Sequence, residues 1–374
     1  MNLLIKQEIL KEGINTVERI SQKSLSLPIL QNVLIKTEGN FLSLSSTNLE
    51  IGIKWWALAK IEKEGQITVP TRLISNFVSF LPNKLMKLER KDLYLEIACD
   101  NYLTSLYGLS PDDFPILPIS KEGENISLDN QNFCQGLSQV VDISSLSIAR
   151  PEISGVYFLF QKDLVKMVAT DSFRLGEKKL FLKTPLLKEY VLILPKLAAK
   201  EVINIFGEKK GELQIYFSPN QILFESQMLE VPHPRVQLVS RLIEGEYPNY
   251  EAIIPKKYET QIILSRAEFL NQIKSASLFS GKINEVRLKI VPQKGGIEIN
   301  SQNPDLGKYQ SFLPAKIKGK ETEISFNHRF LIDGLFQMKS PEVIFELTGE
   351  EGPTVLKPLA GEDYLYVVMP IKAP

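Results

Sequence analysis

Apolar and polar positions along this chain follow two periods, and the way those periods alternate itself recurs. Leu93, Leu95, Ile97 and Cys99 alternate with Tyr94, Glu96 and Ala98, the period of two expected of a strand with one buried face. Ile9, Leu10, Ile14 and Val17 instead share a stripe at helical spacing, with Lys11, Asn15 and Arg19 on the opposite face. The first third therefore predicts a strand at 2–6, a helix over 7–20 and strands near 32–37, 41–46 and 49–56. The same order follows at once, with a strand at 66–69, a helix over 71–81 and strands near 85–90, 93–98 and 102–107. The middle third predicts a helix over 129–143, strands near 154–160 and 164–169, a helix over 195–206 and a strand carrying Leu213, Ile215 and Phe217. The last third predicts helices over 266–279 and 327–337, with Phe269, Leu270 and Ile273 on one face of the first, and a strand carrying Ile297 and Ile299.

One plan thus recurs at roughly 125 to 135 residues. Segments ITVPTRLISNFVSFL (67–81), VLILPKLAAKEVINIF (191–206) and ISFNHRFLIDGLFQM (324–338) align as strand, turn and amphipathic helix. Paired prolines and aromatic residues interrupt the periodicity in DDFPILPIS (112–120) and GEYPNYEAIIP (245–255). The expected fold is α+β: three tandem domains at 1–120, 121–250 and 251–374, each with two helices, antiparallel sheet and two β-α-β-β-β units.

Composition narrows the function. At 374 residues the chain exceeds what one hydrophobic core usually organises. Its 44% hydrophobic and 24% charged residues are those of a globular protein. The opening MNLLIKQEIL is not a secretory leader, and no apolar stretch approaches ~20 residues, so a cytoplasmic protein without membrane contact is expected. Lys+Arg and Asp+Glu both total 44, which argues against a protein that holds nucleic acid by charge alone.

Candidate chemistry is sparse. Cys99 and Cys134 lie in apolar patterns without CxxC spacing and read as buried free thiols. His233 sits between prolines and His328 at a helix start, and neither has a spaced partner for metal binding or nucleophilic catalysis. The sequence contains no GxxxxGK[ST], GxGxxG, GxSxG or HExxH string, so no catalytic residue, metal site or cofactor is expected. Clustered carboxylates at 112–113 and 362–363 read as turn formers. Trp55 and Trp56 offer stacking surfaces for bases but read better as anchors at a strand end.

The outward helix faces mix cations with small polar groups: Lys11, Asn15 and Arg19; Arg72, Asn76 and Ser79; Lys196, Lys200 and Asn204; Lys274; Arg329 and Gln337. The helix over 129–143 offers only Gln135, Ser138, Gln139 and Asp142. Taken singly, each is equally an ordinary solvated face. Together they describe a surface that tolerates a phosphate backbone without gripping it.

Seven strings then carry a family resemblance across the whole chain: SLPILQNVLI (26–35), STNLEIGI (46–53), GQITVP (65–70), DDFPILP (112–118), VATDSFRLG (168–176), LIEGEYPNY (242–250) and YLYVVMPIK (364–372). In order and spacing they resemble the bacterial DNA sliding clamps, the beta subunits of the replicative DNA polymerase III holoenzyme. The resemblance implies a head-to-tail homodimer closed into a ring, with helices lining a channel around duplex DNA and sheets outside. It implies inward cations at Lys23, Arg72 and Lys196, to which helical phase adds Lys11, Lys200 and Lys274. It places a dimer interface on an edge near Tyr102–Leu109, with Leu103, Thr104 and Leu106, and on a second edge near Glu285–Val291, with Leu278 packing beside it. Thr104 stands where the family has an aromatic residue.

The resemblance further implies a hydrophobic pocket for short linear motifs of polymerase subunits, the clamp loader and repair proteins. Its residues would be Ile153, Thr170, Ser172, Phe173, Arg174, Leu175, Pro248, Ile253, Val367, Met369 and Pro370. Phe173, Ala252 and Lys372 depart from a histidine and two arginines common in the family. Two other readings stay open: a repeat scaffold that binds protein motifs without encircling DNA, and a hydrolase or nuclease with dispersed carboxylates.

Overall fold

The computed structural model describes residues 1–21, 27–121, 124–145, 147, 149–361 and 363–372. The first third contains β1 (Asn2–Lys6), α1 (Gln7–Glu18), β2 (Asn32–Glu38), β3 (Phe41–Thr47), β4 (Ile51–Leu58) and a short β5 (Lys60–Lys63). A second round follows, with β6 (Gln66–Pro70), α2 (Thr71–Phe80), β7 (Leu85–Lys91), β8 (Tyr94–Cys99) and β9 (Tyr102–Tyr107). The middle third contains β10 (Asn125–Asp129), α3 (Asn130–Val141), β11 (Gly155–Gln161), β12 (Leu164–Thr170), β13 (Arg174–Phe181), β14 (Tyr190–Pro195), α4 (Lys196–Phe206), β15 (Glu212–Phe217), β16 (Gln221–Gln227) and β17 (Pro234–Arg241). The last contains β18 (Thr260–Ser265), α5 (Arg266–Ser277), β19 (Glu285–Val291), β20 (Gly296–Asn303), β21 (Gly307–Pro314), β22 (Lys316–Lys318), β23 (Thr322–Asn327), α6 (His328–Gln337), β24 (Glu342–Leu347), β25 (Thr354–Pro358) and β26 (Tyr364–Val368).

Periodicity places the helices because each buries one face. In α1 the buried residues are Gln7, Leu10, Gly13, Ile14 and Val17, with Ile9 only partly covered. Asp129, Ser265 and Asn327 start α3, α5 and α6 with side-chain oxygens that accept backbone N–H groups of Asn132, Glu268 and Arg329, satisfying donors the first turn leaves unpaired.

The chain folds into two units: residues 1–134 with 200–242, and residues 135–199 with 243–374. The first unit holds a five-stranded sheet, β5-β1-β7-β8-β9, and an eight-stranded sheet, β10-β15-β16-β17-β4-β3-β2-β6. The second holds a nine-stranded sheet, β14-β11-β12-β13-β26-β25-β24-β18-β22, and a four-stranded sheet, β21-β20-β19-β23. Strands from different thirds therefore share one ladder in each unit, through β17 on β4 and β26 on β13.

The proline-rich segment near 112–120 is a strap on the first unit. Leu117 packs against Gly52, where an added Cβ would approach its Cδ2 to 2.6 Å. The Pro118 carbonyl accepts from Gln221, and Lys121 pairs at 2.6 Å with the fully buried carboxylate of Glu225. Gln227 and Gln237 also donate to Glu225, so the carboxylate is charge-matched and hydrogen-bonded, as burial requires.

Several sequence expectations change in three dimensions. Leu93 belongs to the turn after Asp92, which has φ 51°, and is 50% exposed. Trp55 and Trp56 lie within β4, and both are buried. Trp55 packs on Gly13 and carries the Arg235 guanidinium 4.6 Å from its ring, while Trp56 donates to Glu38 and meets His233, which stacks on Phe41. Gln139, expected to face outward, is 3% exposed and donates to the Gln337 carbonyl. Cys99 and Cys134 are free and buried, and burial pushes the Cys134 thiol up to about 12.

Candidate functional site

The second unit builds an apolar site at the junction of two hairpins and one loop. Thr170 and Leu175 pair across the β12–β13 hairpin, and Arg174 and Leu175 pair with Val368 and Val367 of β26. The Met369 N–H donates to the Phe173 carbonyl, which carries the chain end past the hairpin turn. Thr170 accepts from Ser172 N–H through its hydroxyl, and Asp171 accepts from the N–H groups of Phe173 and Arg174. This turn holds Ser172 at φ 78° and leaves Phe173 62% exposed. The Ser145 N–H points to the carbonyls of both Ile153 and Thr170, which brings Ile153 to the same corner.

The loop from Tyr247 to Ile254 covers the adjoining sheet. Leu175, Val168, Val355, Val367 and Tyr250 form one buried cluster, with Tyr157, Tyr247 and Ile254 packed against it. Tyr157 stacks on Tyr247 at 4.8 Å, and the Tyr250 hydroxyl donates to Glu177 at 2.8 Å. Burial first, and the Glu177 carboxylate second, push the Tyr250 phenol upward, so it remains a donor. Ile253 is 46% exposed, and Pro248, Met369 and Pro370 are half-buried. Sequence order separates these groups by as many as 217 positions, from Ile153 to Pro370, and the ladder of β13 on β26 unites them.

The eleven expected pocket residues differ in what they can do. Ile153, Thr170, Leu175 and Val367 are buried, which makes them core residues. Arg174 is fastened by Asp171 and Asp333, with its guanidinium 4.7 Å from the Phe330 ring. Burial opposes its charge, but Tyr366 and the two aspartates outweigh that and raise its pKa above the ordinary value. Phe330, which sequence reasoning missed, also stacks on Phe173 at 6.5 Å. Phe330 is the third residue of α6, and nothing in its local spacing marked it in the sequence.

The expected cationic residues that are described, Lys11, Arg72, Lys196, Lys200 and Lys274, occupy helices, and their surroundings separate them. Arg72, Lys200 and Lys274 are exposed on α2, α4 and α5, and Lys11 is half-covered on α1. Lys196 donates to the carbonyls of Asp142 and Ser144 beyond the end of α3, so it serves that helix terminus. Lys23 lies outside the described residues.

The sheet edges correct one expectation. β9 is an edge strand, with Leu103 at 74% exposure, Thr104 half-covered and Leu106 buried. The expected second edge near Glu285–Val291 is β19, which lies between β20 and β23 inside its sheet. The edge strands of that sheet are β21 and β23, and β21 lies two strands later in the chain. Leu278, 70% exposed, follows α5, and Phe279 beside it stacks on Tyr309 of β21.

Among the described residues, no group of three or more His, Cys, Asp or Glu is placed to hold a metal ion, and no helix is long and apolar enough to cross a membrane. His328 starts α6 with its ring largely buried, and burial lowers its pKa.

Comparison with known proteins gives the same repeat a name. Family models described as the N-terminal, central and C-terminal domains of the DNA polymerase III beta subunit match residues 1–118, 127–249 and 251–372. The beta sliding clamp of Synechococcus elongatus is 27% identical over 380 residues, covering 100% of this chain and 99% of that protein. The beta sliding clamp of Staphylococcus aureus is 27% identical over 383 residues, with the same coverage. The crystal structure of the DNA polymerase sliding clamp from Bacillus subtilis superposes with a TM-score of 0.94 at 27% identity, covering 100% of both chains. Three repeated domains, each matched in order by its own family model, place this chain in the DNA polymerase III beta-subunit family, the DNA sliding clamps.

Proposed function

We propose that two copies of this chain join head to tail into a ring that encloses duplex DNA, and that polymerase subunits, the clamp loader and repair proteins dock through short motifs in the apolar site. The observation that carries this reading is the pattern of edge pairing. In the first unit, the last strand of a fourth β-α-β-β-β round (β17) pairs with the last strand of the first (β4). In the second unit, the last strand of the sixth (β26) pairs with that of the third (β13). The same rule assigns β9, which ends the second round, to β21, which ends the fifth, and each is a sheet edge. A second copy satisfies both edges and closes after two subunits, as a heterologous interface must if it is not to form a filament.

Domains at 1–120, 121–250 and 251–374 then form the ring, with Lys11, Arg72, Lys200 and Lys274 as candidates to line it. A net charge of zero suits such a protein, because confinement does the holding and the lining need only avoid repelling phosphates. The ring is non-catalytic, needs no cofactor, and works in the cytoplasm.

Sedimentation of the purified chain should give a dimer. Loaded onto nicked circular plasmid, the dimer should remain bound and should be released when the plasmid is cut once. Retention unaffected by cutting would remove the topological reading. Reversing the charges of Arg72 and Lys274 separates a ring from a protein scaffold, because a scaffold that never encloses DNA would be indifferent to the change.

A further inference from the structure

Resting on the docking reading above, we infer that Tyr250, Glu177 and Lys166 are positioning residues of the apolar site. They fasten the loop over 247–254 from behind, so that Pro248 and Ile253 stay where a docked peptide meets them.

The loop has little regular structure with which to hold its own shape. One turn of 3-10 helix, Tyr250–Ala252, lies at its centre, and the Ile253 N–H donates to the Tyr250 carbonyl at 3.0 Å. Pro248 precedes Tyr250 by two residues, so the place of Tyr250 sets both of the residues that face outward. Tyr250 is itself held twice. Its ring lies in the cluster with Val168, Leu175, Val355 and Val367, and its hydroxyl donates to Glu177 at 2.8 Å. An apolar bed resists removal of a ring but not its turning, whereas a hydrogen bond has a direction and fixes depth and angle together. Glu177 is buried and charge-matched by Lys179 at 3.2 Å, so its carboxylate is a fixed acceptor. The next loop residue, Glu251, is tied to Lys166 of β12 at 2.8 Å. Their hydrogen bond raises the pKa of Lys166 and lowers that of Glu251, which keeps both charged.

The first unit repeats this scaffold without the polar ties. The Thr47 hydroxyl donates to the Ile51 carbonyl and accepts from the Leu49 N–H, as Thr170 does with Arg174 and Ser172. The Arg241 N–H donates to the Glu50 carbonyl, as Met369 does to Phe173. A strap follows in each unit, Phe114-Pro115-Ile116-Leu117 in the first and Tyr247-Pro248-Asn249-Tyr250 in the second. Leu117 packs on Gly52 where Tyr250 packs beside Leu175. In this correspondence Lys54 stands for Glu177 and Ser43 for Lys166, while Leu117 and Pro118 stand for Tyr250 and Glu251. A leucine is therefore enough to hold a strap down. The hydroxyl–carboxylate bond and the ion pair belong only to the strap that carries exposed docking residues, and they supply position where the first unit needs adhesion alone.

Tyr250→Phe tests this by deleting one oxygen and keeping the ring in its cluster. It should weaken a labelled polymerase-derived peptide about three- to tenfold in fluorescence anisotropy, measured well below the unfolding transition. Hydrogen exchange should quicken at the amides of 249–254 and stay at parent rates along β12, β13 and β26. A residue that serves only stability would leave the affinity of the folded protein unchanged. Lys166→Glu should weaken the peptide about two- to threefold, and Glu251→Lys in the same chain should restore it. Parent-like affinity in Tyr250→Phe, with Phe173→Ala still weakening the peptide, overturns the positioning role and leaves the docking site in place. Parent-like affinity in Phe173→Ala and Met369→Ala as well removes the docking site and this inference with it. An exchanged pair that binds no better than Lys166→Glu alone takes Lys166 out of the set.

Discussion

Leu175→Ala is expected to lower the folding stability of the second unit by about 2–4 kcal/mol, while Phe173→Ala two positions earlier leaves it within about 0.5 kcal/mol. The difference follows from burial: Leu175 is 2% exposed in the cluster with Val168, Tyr250, Val355 and Val367, and Phe173 is 62% exposed. Binding should show the reverse separation. Phe173→Ala and Met369→Ala remove surface that a docked peptide would cover, worth roughly 1.5–3 kcal/mol for a fully buried side chain, so each should weaken a polymerase-derived peptide by about tenfold or more. Circular dichroism during urea unfolding reads the first effect, and fluorescence anisotropy of a labelled peptide reads the second. Unchanged peptide affinity in both exposed-site variants would move the docking site elsewhere. Leu175→Ala is a poor probe of docking, because its loss of affinity would mix a lost contact with a collapsed core.

Gly13→Ala should destabilise the first unit by about 1–3 kcal/mol, although alanine is a better helix former than glycine by about 1 kcal/mol. The added Cβ would lie 2.5 Å from two ring carbons of Trp55, which is fully buried and has nowhere to retreat. Gly334→Ala should behave alike in the second unit, with the Cβ 2.6 Å from the buried Tyr366 ring. Gly136 provides the contrast, because its nearest contacts are Leu180 and the Lys178 stem at 3.3 Å. A lysine stem and a leucine tip can shift by the few tenths of an ångström required, so Gly136→Ala should be near neutral. All three glycines are the seventh residues of their helices, α1, α6 and α3. The chain's two tryptophans both lie in β4, so tryptophan fluorescence reports the first unit alone, and a Gly13→Ala midpoint at or above that of the parent would refute the packing argument.

Much of the architecture was legible because its helices and many of its strands bury one face. The stripe of Leu10, Ile14 and Val17 marks α1 in sequence and in space, and Leu95, Ile97 and Cys99 mark β8 in the same way. The tryptophans read less well because β4 is covered on both faces, by α1 on one and by Glu38 and His233 on the other, and such a strand has no polar phase to reveal it. Lys196 looked like its neighbour Lys200, yet its ammonium meets two carbonyls supplied by residues more than fifty positions away. Gln139 has the hydrophilic side chain of an outward position but meets the Gln337 carbonyl.

By itself the sequence determined the recurring elements, the three-fold repeat and the absence of recognisable catalytic strings, since these depend on local spacing and residue type. Strand order it left open, because an interior strand and an edge strand can carry the same alternation: β19 was expected at the edge, and the edges are β21 and β23. Only the tertiary structure decided which strands keep an unpaired row of backbone donors and acceptors, because that depends on which distant segment already occupies the neighbouring ladder. The same long-range pairing turned Leu175 into core and left Phe173 exposed, two residues apart in the chain and opposite in burial.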